Sequence, residues 1–580
     1  MIEHGSLRRM VLWVPLMCTA VLGGCVWGKE DKKKLDLGVA PKPAPGADSA
    51  AVRDTIGALS YFDGMGPLRV RGYGLVVGLG KNGSNDCPRP IRDRLVESLY
   101  KQQRGAADVV GVATITPEQL IDDIDTAVVV VGADVPPAAT EGTRFDVSVM
   151  ALPGTKTKSL RGGRLYTTEL EVYRESAAGT TVSGKLMARA AGPVFINPFA
   201  EGDAATKGNP LEGIVVGGGK AVEDRQLRLV LGQPSYVWAR KIQDRINQHF
   251  PQANKVADAI SPSYVEIHVP REYQQDIGHF LGLVRSLYLS NDPQFAAVRA
   301  RLLGQEIQQP SAPHAEIALC FEGLGPAALP ALQELYTHEK DYVSFHAGVA
   351  GIRLGDHLAG DVICRHAEAV DGAFRFQAIH ALATARGMAG PAAVLRRLLE
   401  AGDPRVQIAA YEALVARADP TILSKTVASD NFRLDLIPTK RPNFVYVKRS
   451  QARRVALFGE DLECRPPVHY RSPDGSITLT AQPSDDGLTL LRVVVPSGSM
   501  SPPVVAPFDL PDVIELMGRD ADVDLDGKVV GLGLDYGAVA RAVYHLCKDH
   551  AVNAQFILEQ PNAAEMFGPA PVAGRPESEL

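Results

Sequence analysis

The chain has 580 residues, 45% of them apolar and 22% charged, and a net charge of −6. That is the balance of a folded globular protein, and too long for one hydrophobic core, so about three or four domains are expected. The 61 basic and 67 acidic side chains nearly cancel, so composition makes no case for nucleic-acid binding, which needs a clustered positive field.

Residues 1–25 read as a targeting segment. Arg8 and Arg9 supply the charge, and Met10–Val21 is an apolar run too short for an ordinary membrane span. It ends in Leu22-Gly-Gly-Cys25, which resembles a bacterial lipobox with Cys25 as the lipid acceptor. The alternative is an ordinary secretory leader with an incidental cysteine. Acyl chains on Cys25 would anchor the mature protein to a membrane. Val26 in place of an aspartate resembles outer-membrane sorting. No later stretch reads as long and apolar enough to span a bilayer. Of seven cysteines, Cys87, Cys320, Cys364, Cys464 and Cys547 remain after Cys18 and Cys25. Their spacing suits no zinc site. An oxidising compartment would permit one or two disulfides among them, with the pairing left open.

Residues 26–51 are charged and then Pro-rich, a tether that cannot bury enough apolar area to fold. From 52 to 225 the pattern is strand-rich. Leu68–Leu79 reads as a strand, Ile91–Gln103 as an amphipathic helix, and Asp125–Gly132 as a strand buried on both faces, ended by Pro136-Pro137. Phe145–Leu152, Tyr166–Val172 and Val182–Ala190 are further strands. Residues 226–292 read as a small βαβα unit. It comprises strand Leu227–Leu231, helix Ser235–Phe250 capped by Ser235 with Val237, Ile242 and Ile246 inward, strand Tyr264–Val269 and helix Gln274–Leu289.

Between 313 and 420 three Ala-rich segments superimpose, beginning at Val343, Phe374 and Val406, at spacings of 31 and 32 residues. They resemble HEAT repeats, an α-solenoid in which each helix pair needs its neighbour. An ordinary helical domain is the alternative. Residues 426–560 return to strands (Phe444–Lys448, Ser476–Ala481, Leu488–Val495), then Lys528–Leu534, a helix Tyr536–Asp549 and a strand Gln555–Leu558. Residues 561–580 read as a disordered tail. The expected class is therefore multidomain α+β.

Few residues point to chemistry. The glycine-rich run Gly72–Gly80 lacks the spacing of a phosphate loop, so its glycines are expected to serve bulges or close strand approach. Asp520, Asp522, Asp524 and Asp526 before Gly527 resemble the start of a calcium loop. The bidentate glutamate is missing, Gly533 standing in its place, which favours a solvated acidic turn. Lys440, Arg441, Lys448, Arg449, Arg453 and Arg454, with Phe444 and Tyr446 between, read as a basic strand edge or an anion-binding patch. His346 and His380 read as packing or surface residues. No catalytic constellation is evident, and no cofactor or metal is expected.

Several segments nonetheless resemble the bacterial flagellar P-ring protein family. They are Gly72-Tyr-Gly-Leu-Val-Val-Gly-Leu79, Thr126–Pro136 before Gly142–Asp146, Ser159-Leu-Arg-Gly-Gly163, Asn247 and Val265–Pro270. The resemblance covers about Arg53 to Ser290 and makes 52–225 a P-ring-like domain. Its family-motif and assembly residues are Gly72, Tyr73, Gly74, Gly78, Asp146, Leu160, Gly162 and Gly163. Two departures stand out. Lys81–Asp86 replaces the family's Gly-Thr-Gly-Asp element, and the C-terminal half has no counterpart. The resemblance implies a non-enzymatic structural subunit forming a homo-oligomeric ring around the flagellar rod in the periplasm. Rod and L-ring proteins would be its partners, peptidoglycan a further candidate, the lipid anchor would hold it to the outer membrane, and no nucleic acid is involved. The alternative is a non-flagellar lipid-anchored adaptor using the HEAT-like repeats for protein–protein contact.

Overall fold

The computed structural model describes residues 53–560 except 67, 106–115, 176–180, 198–208, 254, 275, 291, 429–430, 451, 473–474, 495–498 and 524–528. The leader with Cys25, the tether, the tail, and Asp524, Asp526 and Gly527 of the acidic turn lie outside the described residues.

The first elements of the described chain are helix α1 (Ile56–Leu59) and strand β1 (Ser60–Asp63). Next come β2 (Leu68–Val77), α2 (Arg89–Gly105), α3 (Pro117–Asp122), β3 (Ala127–Val135), β4 (Arg144–Ala151), β5 (Arg164–Glu175), β6 (Thr181–Pro193) and β7 (Glu212–Ala221). These six strands, β2 to β7, close an antiparallel barrel in the order β2-β3-β4-β7-β6-β5. Closure leaves no open strand edge for stray pairing. Strand β4 alternates as its sequence requires, with Phe145, Val147, Val149 and Ala151 buried. Strand β3 is buried on both faces. Val129 and Val131 enter the barrel core, while Val128 packs outside it with Leu95, Leu99 and Ile121 of α2 and α3. Strand β7 escapes the sequence reading because Gly217-Gly-Gly219 looks like a linker.

The next unit contains β8 (Leu227–Leu231), α4 (Tyr236–His249), β9 (Ala257–Asp258), β10 (Tyr264–Ile267) and α5 (Ile277–Ser286). Its sheet has the order β1-β8-β10-β9. Strand β1 lies before the barrel in sequence yet pairs with β8, Tyr61 opposite Val230. Fully buried Ile56 donates its amide to the Leu287 carbonyl at 2.9 Å. Residues 55–63 therefore belong with this sheet and not with the barrel. Ser235 caps α4 as expected, but Val237 points outward, 59% exposed; Ala239, Ile242 and Ile246 form the buried line. Asn247 ties α4 to β9. Its side-chain oxygen accepts from the Val256 and Ala257 amides, and its amide donates to the Ala257 carbonyl, all at 2.9 Å.

Eight helices follow: α6 (Pro293–Glu306), α7 (His314–Leu324), α8 (Leu329–Leu335), α9 (Asp341–Arg353), α10 (His357–Glu368), α11 (Arg375–Thr384), α12 (Ala389–Leu398) and α13 (Pro404–Ala416). The three superimposing segments are α9, α11 and α13. Helix α10 packs on both α9 and α11, and α11 on α13. Arginines tie the stack by donating to carbonyls at or next to helix ends: Arg365 to Tyr336, and Arg417 to Leu382, Ala385 and Met388. The helical core begins at α6, whose Ala300 and Leu303 join it, earlier than residue 313. Contrary to the sequence reading, His314–Leu335 has the length and apolar character of a membrane span. It is broken at Gly325 (φ 74), and Ile317, Phe321, Leu332 and Leu335 pack in the helical core.

The last region contains β11 (Leu423–Val427), β12 (Phe432–Ile437), β13 (Phe444–Val447), β14 (Arg454–Phe458), β15 (Val468–Arg471), β16 (Ile477–Ala481), β17 (Leu488–Val494), β18 (Ser499–Met500), β19 (Val504–Ala506), α14 (Leu510–Gly518), β20 (Asp522–Val523), β21 (Val529–Val530), α15 (Tyr536–Lys548) and β22 (Gln555–Leu558). One mixed sheet runs β11-β12-β14-β13-β22. Its face carrying Ile437, Phe444, Tyr446, Ala456 and Phe458 continues the helical core. The opposite face, with Leu434, Val445, Val447, Val455 and Leu457, packs with α14 and α15. Strand β13 is thus interior, paired with β14 and β22, which corrects the reading of its flanking basic residues as a solvated edge. Lys448 pairs with Glu412 at 2.9 Å and Glu559 at 3.3 Å, and Arg454 with Asp435 at 2.6 Å. The Arg441 guanidinium donates to the Glu400 carbonyl at 2.6 Å.

Two histidines make acid stability testable. Burial pushes His249 down to about 4, aided by Arg245, and pushes His346 down to about 4, aided by His314. In the unfolded chain each titrates near ~6.5. Between those values the unfolded chain holds more protons, so their contribution is complete above pH ~6.5 and is lost as pH falls toward ~4. Calorimetry is expected to show a falling thermal midpoint across that window, with a shallower slope in His346→Leu.

Candidate functional site

Two of the sequence motifs meet at one end of the barrel. Strand β2 carries Gly72, Tyr73 and Gly74. A Cβ on Gly72 would stand 2.2 Å from the Glu169 carbonyl oxygen of β5, and one on Gly74 2.3 Å from the Thr168 hydroxyl. The β2–β5 register slips between Arg71 and Val76, so the glycines sit where the strands bulge and close on each other. Tyr73, half-buried, packs on the outer cluster of Leu75, Leu95, Leu99, Ile121 and Val128.

Beyond β2 the chain turns through Gly78 (φ 80) and Gly80 (φ 61). Their amides donate to the two oxygens of Asp125, Gly78 at 3.2 Å to Oδ2 and Gly80 to Oδ1. A glycine turn that could have cradled an external anion is filled by a carboxylate of the same chain. Burial raises the Asp125 carboxyl above its ordinary range, against the lowering effect of those two amides.

The second motif closes on this turn. Gly163 lies where a Cβ would meet Val76 Cγ1 at 2.4 Å and Leu79 Cδ2 at 2.5 Å. Leu160 is fully buried in the barrel core, and Gly162 adopts φ 72. Lys81–Asp86 stitches the two motifs together. The Asn82 carbonyl accepts from the Lys158 amide at 2.8 Å, and Asp86 Oδ2 accepts from the Lys156 amide at 3.1 Å and the Ser84 hydroxyl at 3.0 Å. Sequence reasoning missed Asn82, Asp86 and Asp125 as organisers. The available signal was Asp125 standing directly before the β-branched run of β3.

Asp146 sits at a separate bulge between β4 and β7, where it accepts from the Gly217 amide at 2.6 Å. Near it the barrel joins the C-terminal region. Phe195 stacks on Tyr536 at 5.9 Å, and Phe195 and Val216 belong to the C-terminal core. The Tyr536 hydroxyl donates to the Lys448 and Arg454 carbonyls. Among the described residues no cluster of three or more His, Cys, Asp or Glu is arranged to hold a metal.

This geometry gives internal structure, and its test is direct. Asp125→Ala strands the part-buried Gly80 amide, while the exposed Gly78 amide can turn to water, and is expected to cost about 1–3 kcal/mol. Asp125→Asn, which keeps one acceptor, should cost less, as read by urea unfolding.

Residues 55–299 match the family model described as flagellar P-ring protein. Curated relatives agree. The chain is 31% identical over 267 residues to the flagellar P-ring protein of Bradyrhizobium sp., covering 44% of this chain and 64% of the relative. It is 30% identical over 245 residues to that of Geobacter metallireducens, covering 40% and 61%. It is 29% identical over 242 residues to that of Caulobacter vibrioides, covering 39% and 57%. The chain spans about three fifths of the length of these relatives. The match runs from α1 into α6, and so takes in the barrel and the small sheet-and-helix unit. Over these residues the resemblance read from the motifs is to flagellar P-ring proteins.

Proposed function

We propose that this chain is a structural subunit of the flagellar basal body, P-ring-like, that packs with copies of itself into a ring around the rod in the periplasm. The observation that carries the reading is the family match over 55–299, within which the two motifs fold together into one barrel end. A heterologous contact between identical subunits closes into a ring when its rotation divides a full turn. The rod and the L-ring are the proposed neighbours, with peptidoglycan a further contact. Cys25 is the proposed lipidation site holding the chain to the outer membrane. Gly72, Tyr73, Gly74, Gly78, Leu160, Gly162, Gly163 and Asp146 act in assembly indirectly, by fixing the shape of the barrel that presents the contact surfaces. Helices α9 to α13 act as HEAT-like repeats that offer a surface to a partner. The test is electron microscopy of isolated basal bodies carrying a C-terminal tag. Tag density on the ring is expected; basal bodies free of the tagged chain would contradict the proposal.

A second reading is a non-flagellar, lipid-anchored envelope adaptor. It is favoured by one observation: the described chain beyond residue 299 lies outside the family match, yet its C-terminal region packs onto the barrel through Phe195 and Tyr536. Motility that survives deletion of the gene would support it over the first.

A further inference from the structure

The C-terminal region holds a pair of cysteines whose partnership the spacing of the sequence does not show. Cys464 lies between β14 and β15, Cys547 in the last turn of α15. Both are buried in the same hydrophobic core, 2% and 6% exposed.

A short return of the chain brings them together. After α15 the His550 amide donates to the Cys547 carbonyl at 3.2 Å, and the Val552 amide to the Leu546 carbonyl at 3.0 Å. This hairpin-like return sets Val552 beside the helix end. Cys464 then forms an antiparallel bridge with that same Val552, and the Arg465 amide donates to the Ala551 carbonyl at 2.7 Å. Both thiols are free in this structure, and the Cys464 thiol lies close enough to Cys547 to push that thiol up. Cys464 is therefore held against the turn that carries Cys547. The other three thiols have different surroundings. Cys87 packs at the start of α2, Cys320 in α7 beside Tyr288, and Cys364 in α10.

We propose that Cys464 and Cys547 are a disulfide pair that staples α15 to the strand layer of the C-terminal region. The bond forms by exchange with a disulfide donor, glutathione disulfide or a protein disulfide. One protein thiolate attacks the donor, giving a mixed disulfide and releasing one donor thiol. The second protein thiolate displaces the remaining donor thiol. The protein dithiol is oxidised by two electrons and the donor is reduced to two thiols. Burial pushes both thiols up to about 12, Cys547 further through Cys464. A buried thiol at that value is not a nucleophile near neutral pH, so the bond closes while the chain folds, before the core seals.

The test uses the full chain refolded with glutathione disulfide, alkylated without reduction, digested and mapped by mass spectrometry. The expected result is one linked peptide pair joining Cys464 to Cys547, with Cys87, Cys320 and Cys364 alkylated. The same protein folded in reductant and then exposed to the donor is expected to keep both thiols free. Cys464→Ser, Cys547→Ser and the double variant should lower the thermal midpoint of the oxidised protein equally, by on the order of 5–10 °C. Should a variant fail to fold, the peptide map of the wild-type chain decides alone. Two alkylated thiols at 464 and 547 after oxidative refolding, or a link from either to a different cysteine, would overturn the proposal.

Discussion

Asp435→Ala is expected to destabilise the protein by about 3–5 kcal/mol. Asp435 is fully buried at the seam between the helical stack and the mixed sheet. It accepts from the Tyr411 hydroxyl at 2.5 Å and from Arg454 Nη1 at 2.6 Å. Burial would lower the Arg454 guanidinium, but Asp435 more than offsets this and leaves it raised. Removing the carboxylate leaves a half-buried cation and a buried hydroxyl without their partner, and the cost is that of the stranded groups. Asp435 Oδ1 accepts no hydrogen bond, so the network is only partly satisfied. An apolar replacement of all three groups, Tyr411→Phe with Asp435→Leu and Arg454→Met, should therefore lie close to wild type. Urea unfolding of the two variants checks both halves. Equal losses in the single and triple variants would remove the stranded charge as the cause.

Gly72→Val is expected to lose more than about 3 kcal/mol, since its first side-chain carbon would overlap a backbone oxygen that cannot move without opening the barrel. That oxygen belongs to Glu169 on the neighbouring strand, 2.2 Å from the Cβ position. Gly78→Ala is the control. Its Cβ would meet nothing within 4 Å, and only its positive φ is strained, which costs about 1–2 kcal/mol. A folded-yield assay with far-ultraviolet dichroism separates them: Gly72→Val is expected to accumulate as insoluble chain, Gly78→Ala as folded protein. Similar behaviour of the two would mean that backbone freedom, and not strand approach, explains the motif.

What the sequence revealed divides along physical lines. Strands with strict alternation, such as β4, and helices with one apolar face, such as α2, were legible because their period is local. The run at β3 was readable as doubly buried because Val128 and Val129 serve two different cores. The fate of β1 was not legible, because its pairing with β8 joins residues on opposite sides of the barrel in sequence. Strand β7 was hidden by its run Gly217-Gly-Gly219. The basic residues around β13 misled because their partners Glu412, Asp435 and Glu559 come from distant elements. At the candidate site the glycines were legible as close-approach residues. The carboxylate filling their turn was not, since nothing local links Gly78 and Gly80 to Asp125.

The packing of the C-terminal core around Phe195 and Val216 bears on assembly. The barrel surface near β6 and β7 is occupied by the chain's own C-terminal region, so a ring contact cannot use that face. The most direct measurement of the central claim is sedimentation velocity of the purified, detergent-solubilised full chain over a range of concentrations, with negative-stain imaging of the heaviest fraction. The proposed role predicts a concentration-dependent shift from monomer to a closed, ring-shaped oligomer. A single monomeric boundary at every concentration, with no rings in the images, would contradict it.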